Sequence, residues 1–420
     1  MKIAVPRETA EGEARVALTP QSAAQLIADG NQVLVEAGAG EASFIDDEAY
    51  REAGASVVEE ADALYRDADL VLRAGKPSEA EVARLRSGQV LIGTLGTLSN
   101  PKLAQALAER GVTAISMDAI PRITRAQSMD SLSSQSTVAG YKAVVIAAER
   151  LPKFMPLLTT AAGTVRPARV LVFGAGVAGL MAIGTAKRLG AVVEATDVRP
   201  VVKEQVQSLG GTFLEVEMTD EEKAQAETAG GYAREMSDDY KRRQSELIAS
   251  RVGEADAVIT TALIPGRPAP RLITEEMVKT MRPGSVIVDL AAEAGGNCEL
   301  TEPGKEVVKH GVRIIGHTNL PATMPASATQ MLSKNIQTLV KHLAPEGELV
   351  LNFDDEITRG ATITHGGGVI HEATAKALGI EPAAVPAGRP KAESQAEQSS
   401  EPAAAGSKGG AGGSSSGGSS

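Results

Sequence analysis

The sequence predicts an α/β fold of two doubly wound parallel-sheet domains, and three observations carry the prediction. Short apolar runs alternate with helix-length segments along most of the 420 residues, as in parallel strands joined by crossover helices. The length suffices for two domains, each with its own core. In the second half, the apolar run Val170 to Phe173 breaks on Gly174-x-Gly176-x-x-Gly179, and a helix reads on to Leu189-Gly190.

The glycine turn also carries chemistry. Gly174 permits a tight turn, Gly176 lets a pyrophosphate approach bare backbone, and Gly179 lets helix and strand pack closely. Phosphates then meet the amides at the helix N-terminus. A second apolar run, Ala191 to Thr196, ends on Asp197. An acid there accepts both hydroxyls of an adenosine ribose and repels a 2′-phosphate. A lone GxGxxG is weak evidence, but strand, glycines, helix, strand and acid in register point to NAD(H). The alternative is a glycine turn with no ligand. Arg199 pulls the other way, because an arginine there can contact a 2′-phosphate; Asp197 standing first favours NAD(H).

Taken in order, Lys2 to Pro6 reads as the first strand, and Pro20 opens a helix to about Gly30. Gln32 to Glu36 is the second strand; a helix near Asp46 to Ala53 and a short Val57-Val58 follow. Asp69 to Arg73, Gln89 to Gly93 and Val112 to Ser116 are further apolar strands, separated by helices near Pro77 to Arg86 and Pro101 to Arg110. This half lacks a GxGxxG, so it is expected to cover a nucleotide site housed in the other. Ala119 to Gly140 is rich in hydroxyls and amides, with a helix expected from about Ser136 to Arg150. Beside an inter-domain crossing, such a stretch suits a ligand cleft and equally a solvated loop with a serine cap. Gly210 to Val216, a charged excursion from Met218 to Ser250, and apolar runs at Ala257 to Thr261, Val286 to Leu290 and Val312 to Gly316 continue the second domain. A return helix from about Pro325 to His342, and the remainder to Gly379, are expected to pack on the first. The domains are therefore placed at residues 1–135, completed by about 330–380, and 136–329. Residues 386–420 form a Gly/Ser-rich tail that cannot bury a core and is expected to be disordered.

Composition excludes several classes. A formal net charge of −11 argues against a nucleic-acid binder. The lone Cys298 rules out an internal disulfide framework and fits a reducing cytoplasm. With five scattered histidines it offers no metal-ligand spacing. Aromatics make up 2% with no Trp, so the cores must rest on Ala, Val, Ile and Leu. Lys2, Arg7 and Glu8 argue against a signal peptide. The longest uncharged apolar stretch, Val170 to Ala186, is shorter than the about 20 residues that span a bilayer and holds four glycines. The polypeptide is expected to be soluble on its own.

Five segments together resemble one family: Ala119 to Gly140, Gly174 to Gly179, Ala195 to Pro200, Ala226 to Ala233 and Thr260 to Arg267. It is the NAD(H)-binding domain of the alpha subunit of Re/Si-specific, proton-translocating NAD(P)+ transhydrogenase, and the match covers about residues 1 to 380. The fold is shared with alanine dehydrogenase. The resemblance implies two Rossmann-like doubly wound parallel-sheet domains flanking a nucleotide cleft, and a homodimer. It implies direct hydride transfer from NADH on this chain to NADP+ on a partner, coupled to proton translocation. By resemblance, Arg122, Gln127, Asp130 and Ser133 form the polar loop at the nicotinamide, its ribose and the phosphates, with Gln127 bridging toward the partner. Val177 lies on the pyrophosphate turn, and Asp197, Val198 and Arg199 border the adenosine. Gly231, Gln244 and Leu263 line the pocket, and Tyr232 closes over it on a mobile loop hinged at Gly230-Gly231. The implied partners are a membrane-spanning subunit and an NADP(H)-binding beta subunit, which would hold this chain at the inner face of the cell membrane. No metal and no nucleic acid are implied.

An alanine dehydrogenase-like activity is the alternative. Arg15 and Lys76 resemble that enzyme, but its acid/base histidine falls at Gly96 and its active-site aspartate at Glu293. Without a group to take the proton, an amino acid is not oxidised. A subunit that senses NADH without turnover is a further alternative, and the polar Arg122 to Ser133 loop argues against it.

Overall fold

The computed structural model describes residues 1–216, 238–264 and 266–385. In the first half lie β1 (Lys2–Val5), β2 (Gln32–Glu36), β3 (Ser56–Val58), β4 (Leu70–Leu72), β5 (Val90–Gly93) and β6 (Thr113–Ser116). A hairpin of β7 (Leu158–Thr160) and β8 (Gly163–Val165) follows. Then come β9 (Arg169–Phe173), β10 (Val192–Thr196), β11 (Thr212–Phe213), β12 (Ala257–Thr260), β13 (Val286–Asp289), β14 (Glu306–Lys309) and β15 (Val312–Ile315). β16 (Thr362–His365) and β17 (Gly368–Val369) end the series.

These strands make two large sheets, ordered β17-β16-β6-β5-β4-β1-β2-β3 and β11-β10-β9-β12-β13-β15-β14. Within each, six strands are parallel and wind outward from a first strand in both directions, the doubly wound order. Among the described strands of these two sheets, only β14, β16 and β17 pair antiparallel, at the edges. Both faces of each sheet are covered. Along β9, Val170 and Val172 enter one core while Leu171 and Phe173 enter another on the opposite face. Central strands can therefore be apolar throughout, as a sheet buried on both sides requires.

Two segments cross between the sheets. The helix Ser131–Arg150 carries the chain from the first to the second. The helix Pro325–Leu343 brings it back, burying Leu332, Ile336, Leu339 and Leu343 in the core of the first sheet. β16 then pairs antiparallel with β6 and extends the edge of the first sheet.

The crossing helix begins at Ser131, five residues before the expected Ser136, because the Asp130 carboxylate caps it by accepting the Ser133 N–H at 2.9 Å. The expected boundary between residues 135 and 136 lies inside this helix. The β7–β8 hairpin and β14 are not foreseen from the sequence. They are short and carry little periodic signal. The tail, and residues 218–237 of the charged excursion, lie outside the described residues.

Candidate functional site

Register builds the site. Phe173 lies beside Thr196 on one side and Thr260 on the other, and Thr260 beside Asp289. Four strands thus end in one row, and the residues after them, Gly174, Asp197 and Thr261, emerge together. Open α/β sheets bind ligands at this carboxyl edge, where the winding direction reverses; here the reversal falls at β9.

The glycine turn is fitted tightly to its neighbours. Gly174 takes φ +91°, and a Cβ there would stand 2.5 Å from Thr261 Oγ1. A Cβ at Gly179 would stand 1.8 Å from the Gly174 carbonyl oxygen, so only glycine lets the helix Val177–Arg188 start so near the strand. At Gly176 the nearest atom to such a Cβ is an Arg199 guanidinium nitrogen at 3.9 Å. This space is open backbone with a cation beside it, which fits a pyrophosphate.

Asp197 is central to the arrangement. One carboxylate oxygen accepts the Ala175 N–H at 2.7 Å and Arg199 Nη2 at 2.9 Å. The other accepts Arg199 Nε at 3.0 Å and the Arg199 N–H at 2.8 Å. Burial alone would raise the pKa of this carboxyl, but the Arg199 and Ala175 donors outweigh it and hold the group below the ordinary aspartate range. Around it, Val177, Val198 and Leu263 are all solvent-exposed, Val198 at 80%. Exposed apolar side chains on the segments that leave these strand ends suit a flat aromatic base. Gln244 is half-buried on the helix Asp238–Glu254. Gly231 and Tyr232, with the Gly230-Gly231 hinge, lie outside the described residues.

The polar loop is built differently. Residues Thr124–Met129 form a 3-10 turn in which Ala126 and Met129, three apart, are buried in the first core. That spacing leaves Arg125, Gln127 and Ser128 facing outward, and Arg122 is exposed as well. Asp130 and Ser133 are brought together, with Ser133 Oγ donating to Asp130 at 2.6 Å. Loop and glycine turn are joined through the crossing helix. A Cβ at Gly140 would fall 2.1 Å from the Ala178 carbonyl oxygen, so this helix rests on the first turn of Val177–Arg188. Ser133 and Gly140 are seven positions apart in the helix, about 10 Å at 1.5 Å per residue.

The dehydrogenase-like positions are accounted for by local pairing. Glu13 holds Arg15 at 2.6 Å, both nearly buried, while Lys76 is exposed. Gly96 adopts φ +59° and donates its N–H to Asp118. A side chain there would be strained. Glu293 accepts the Asn319 N–H at 2.7 Å. At the reversal point of the first sheet, Arg73 is fully buried between Glu8 at 2.7 Å and Glu81 at 2.6 Å. One guanidinium thus serves two buried carboxylates, an arrangement that sequence reasoning missed. It also missed Asn297, fully buried, whose amide bonds both Ala262 backbone groups and the Pro270 carbonyl and so fixes the loop bearing Leu263. Its only sequence signal is a polar residue after Gly295-Gly296. Among the described residues no His, Cys, Asp or Glu group could hold a metal, and no helix is long and apolar enough to cross a membrane.

Comparison with known proteins agrees with this architecture. The model of the alanine dehydrogenase/PNT N-terminal domain matches residues 4–139, and that of the C-terminal domain matches residues 143–372. An NAD(P) transhydrogenase subunit alpha chain of Rhodospirillum rubrum is 51% identical over 380 residues, covering 89% of this chain and 98% of its own. Alanine dehydrogenase of Bacillus subtilis is 34% identical over 389 residues, covering 91% and 96%. The crystal structure of transhydrogenase from Sinorhizobium meliloti superposes with a TM-score of 0.80 at 45% identity, covering 88% of this chain and 100% of that one.

Proposed function

This chain belongs to the alanine dehydrogenase/PNT family, and from that premise we propose that it is the NAD(H)-binding subunit of a proton-translocating transhydrogenase. When bound, the dihydronicotinamide supplies the hydride, and NADP+ on a partner subunit receives it. The reaction needs no proton from this chain, so the chain's task is positioning. Amides at the start of Val177–Arg188 bind the pyrophosphate, and Asp197 with Val198 holds the adenosine. Leu263 and Gln244 border the same pocket, with Gly231 and Tyr232 as its closing segment. About 10 Å along the crossing helix from Gly140 stands Ser133, and with Asp130, Gln127 and Arg122 in the loop that precedes it, it presents the nicotinamide end.

The observation that carries this reading against amino-acid oxidation is Gly96: left-handed backbone and no side chain where a dehydrogenase places its acid/base imidazole. Sequence similarity supports it, at 51% identity to a transhydrogenase alpha subunit against 34% to alanine dehydrogenase. The membrane-spanning and beta subunits are separate chains in this proposal, and they hold it at the inner face of the membrane. The β7–β8 hairpin, flanked by exposed Phe154 and Leu157 and carrying exposed Val165, supports a homodimer.

The test mixes the full chain with the NADP(H)-binding domain of such an enzyme and follows hydride transfer to an acetylpyridine NAD analogue. Transfer that requires both proteins is the expected result. No transfer with the partner, together with alanine-dependent NADH formation without it, would overturn the proposal. Gln127→Asn is expected to slow transfer far more than it weakens NADH binding.

A further inference from the structure

We infer that Asn335, on the return helix Pro325–Leu343, is a positioning residue for the nicotinamide loop; the inference rests on the transhydrogenase reading of that loop. The residue is 8% exposed and more than 200 positions from the loop in sequence. Its Nδ2 donates to the Ser128 carbonyl at 2.8 Å, and its Oδ1 accepts from Ser134 Oγ at 2.7 Å. Ser128 follows Gln127, and Ser134 follows Ser133. One rigid amide therefore grips the chain just after Gln127 and just after Ser133, on either side of Asp130.

The grip works with the packing beneath it. Ala126 and Met129 enter the same core as Leu332 and Ile336 of the return helix, and the turn that bears them packs on that helix. Those apolar contacts fix the depth of the loop but leave it free to slide along the helix surface. The two Asn335 hydrogen bonds are directional and remove that freedom. Gln135, next in the crossing helix, adds a second tie by donating to the Ala328 carbonyl of the return helix at 3.1 Å. Hydride transfer between two rings depends steeply on their separation, and a misplacement of about 1 Å can cost on the order of 100-fold in rate. The glycine turn and Asp197 are held by separate contacts, so loosening this grip is expected to affect the transfer rate far more than NADH affinity.

The experiment uses the full chain with its NADP(H)-binding partner and compares native protein, Asn335→Ala, Asn335→Asp and Ser134→Ala. Asn335→Ala is expected to lower single-turnover hydride transfer at saturating NADH by at least about tenfold, with the NADH dissociation constant within about twofold of native. Asn335→Asp keeps the acceptor for Ser134 but loses the donor to Ser128, and should fall with the alanine variant. Ser134→Ala should retain an intermediate rate and keeps the test open if Asn335→Ala does not fold. Native transfer rates in the folded variants, or losses in rate matched by equal losses in NADH affinity, would overturn the inference. Absence of transfer by the native protein would instead overturn the transhydrogenase reading itself.

Discussion

Asp197 meets four donors from its own chain: the Ala175 N–H and three groups of Arg199. A carboxylate offers about four lone-pair sites, so on the proposed reading a ribose displaces Arg199 from some of its hold. The acid and the arginine, which read as competing signals in the sequence, form one device in the structure. Arg199 is matched to Asp197 and lies over Gly176, so it can turn toward a phosphate when a ribose takes its place. Replacing Asp197 with Ala should therefore do two things. It should weaken NADH by about 10- to 100-fold, since a hydrogen bond to a charged group is worth about 1.5–3 kcal/mol. It should also narrow the gap to NADPH, because the freed guanidinium then suits a 2′-phosphate. Fluorescence titrations with each nucleotide measure both effects, and the chain holds no Trp to interfere. Unchanged NADH affinity in Asp197→Ala would remove the residue from the ribose site.

Elements carry the next set of constraints, and here the sequence was only partly legible. The glycine turn and its acid could be read because their geometry is local: a strand, three glycines and a second strand set each other's positions. Gly140 could not be read the same way. It sits inside a helix, and its role depends on Ala178 of another helix coming within contact distance. Gly140→Ala should force the two helices apart, costing about 1–3 kcal/mol by overpacking. Because Ala178 borders the phosphate turn, the stabilisation that NADH gives in thermal unfolding should shrink too; a shift in midpoint with full NADH stabilisation would separate packing from binding. The loop has an ionic tie as well. Arg125 reaches Asp355 at 2.5 Å, and Asp355 also accepts from Thr358 and contacts His342 at 3.0 Å. Burial would raise the pKa of the Asp355 carboxyl, but the Thr358 N–H, Arg125 and His342 outweigh it and bring it to about 2. Its folded pKa lies below the unfolded value, so its contribution is complete above about pH 4 and is lost as pH falls toward 2. Native protein and Asp355→Asn should differ by about 2 kcal/mol at neutral pH in urea unfolding and converge through that window.

At the scale of the whole molecule, one polar relay links both domains and both crossing segments. Glu293, in the second domain, accepts the Asn319 N–H, and the Asn319 side chain donates to Glu13 of the first at 3.1 Å. Glu13 pairs with Arg15, and Arg15 donates to Gln135 of the crossing helix at 2.9 Å. Arg15 thus takes part in charge pairing with Glu13. Asn319 could not be singled out beforehand, because its partners are some 300 and 26 residues away. It is also one of three non-glycine residues with positive φ among those described, at +48°, a conformation asparagine tolerates better than most. Two substitutions divide its roles. Asn319→Gly keeps the left-handed backbone accessible and removes the bond to buried Glu13, so its cost, about 1.5–3 kcal/mol for a charged acceptor, measures the relay. Asn319→Ala removes the bond and adds about 1–2 kcal/mol for a Cβ in that region. Calorimetry should therefore rank the midpoints native, then Gly, then Ala. Both variants should broaden the transition toward two steps as the domains lose their coupling. A glycine variant that melts with the native midpoint and width would mean that packing of the two crossing helices alone holds the domains together.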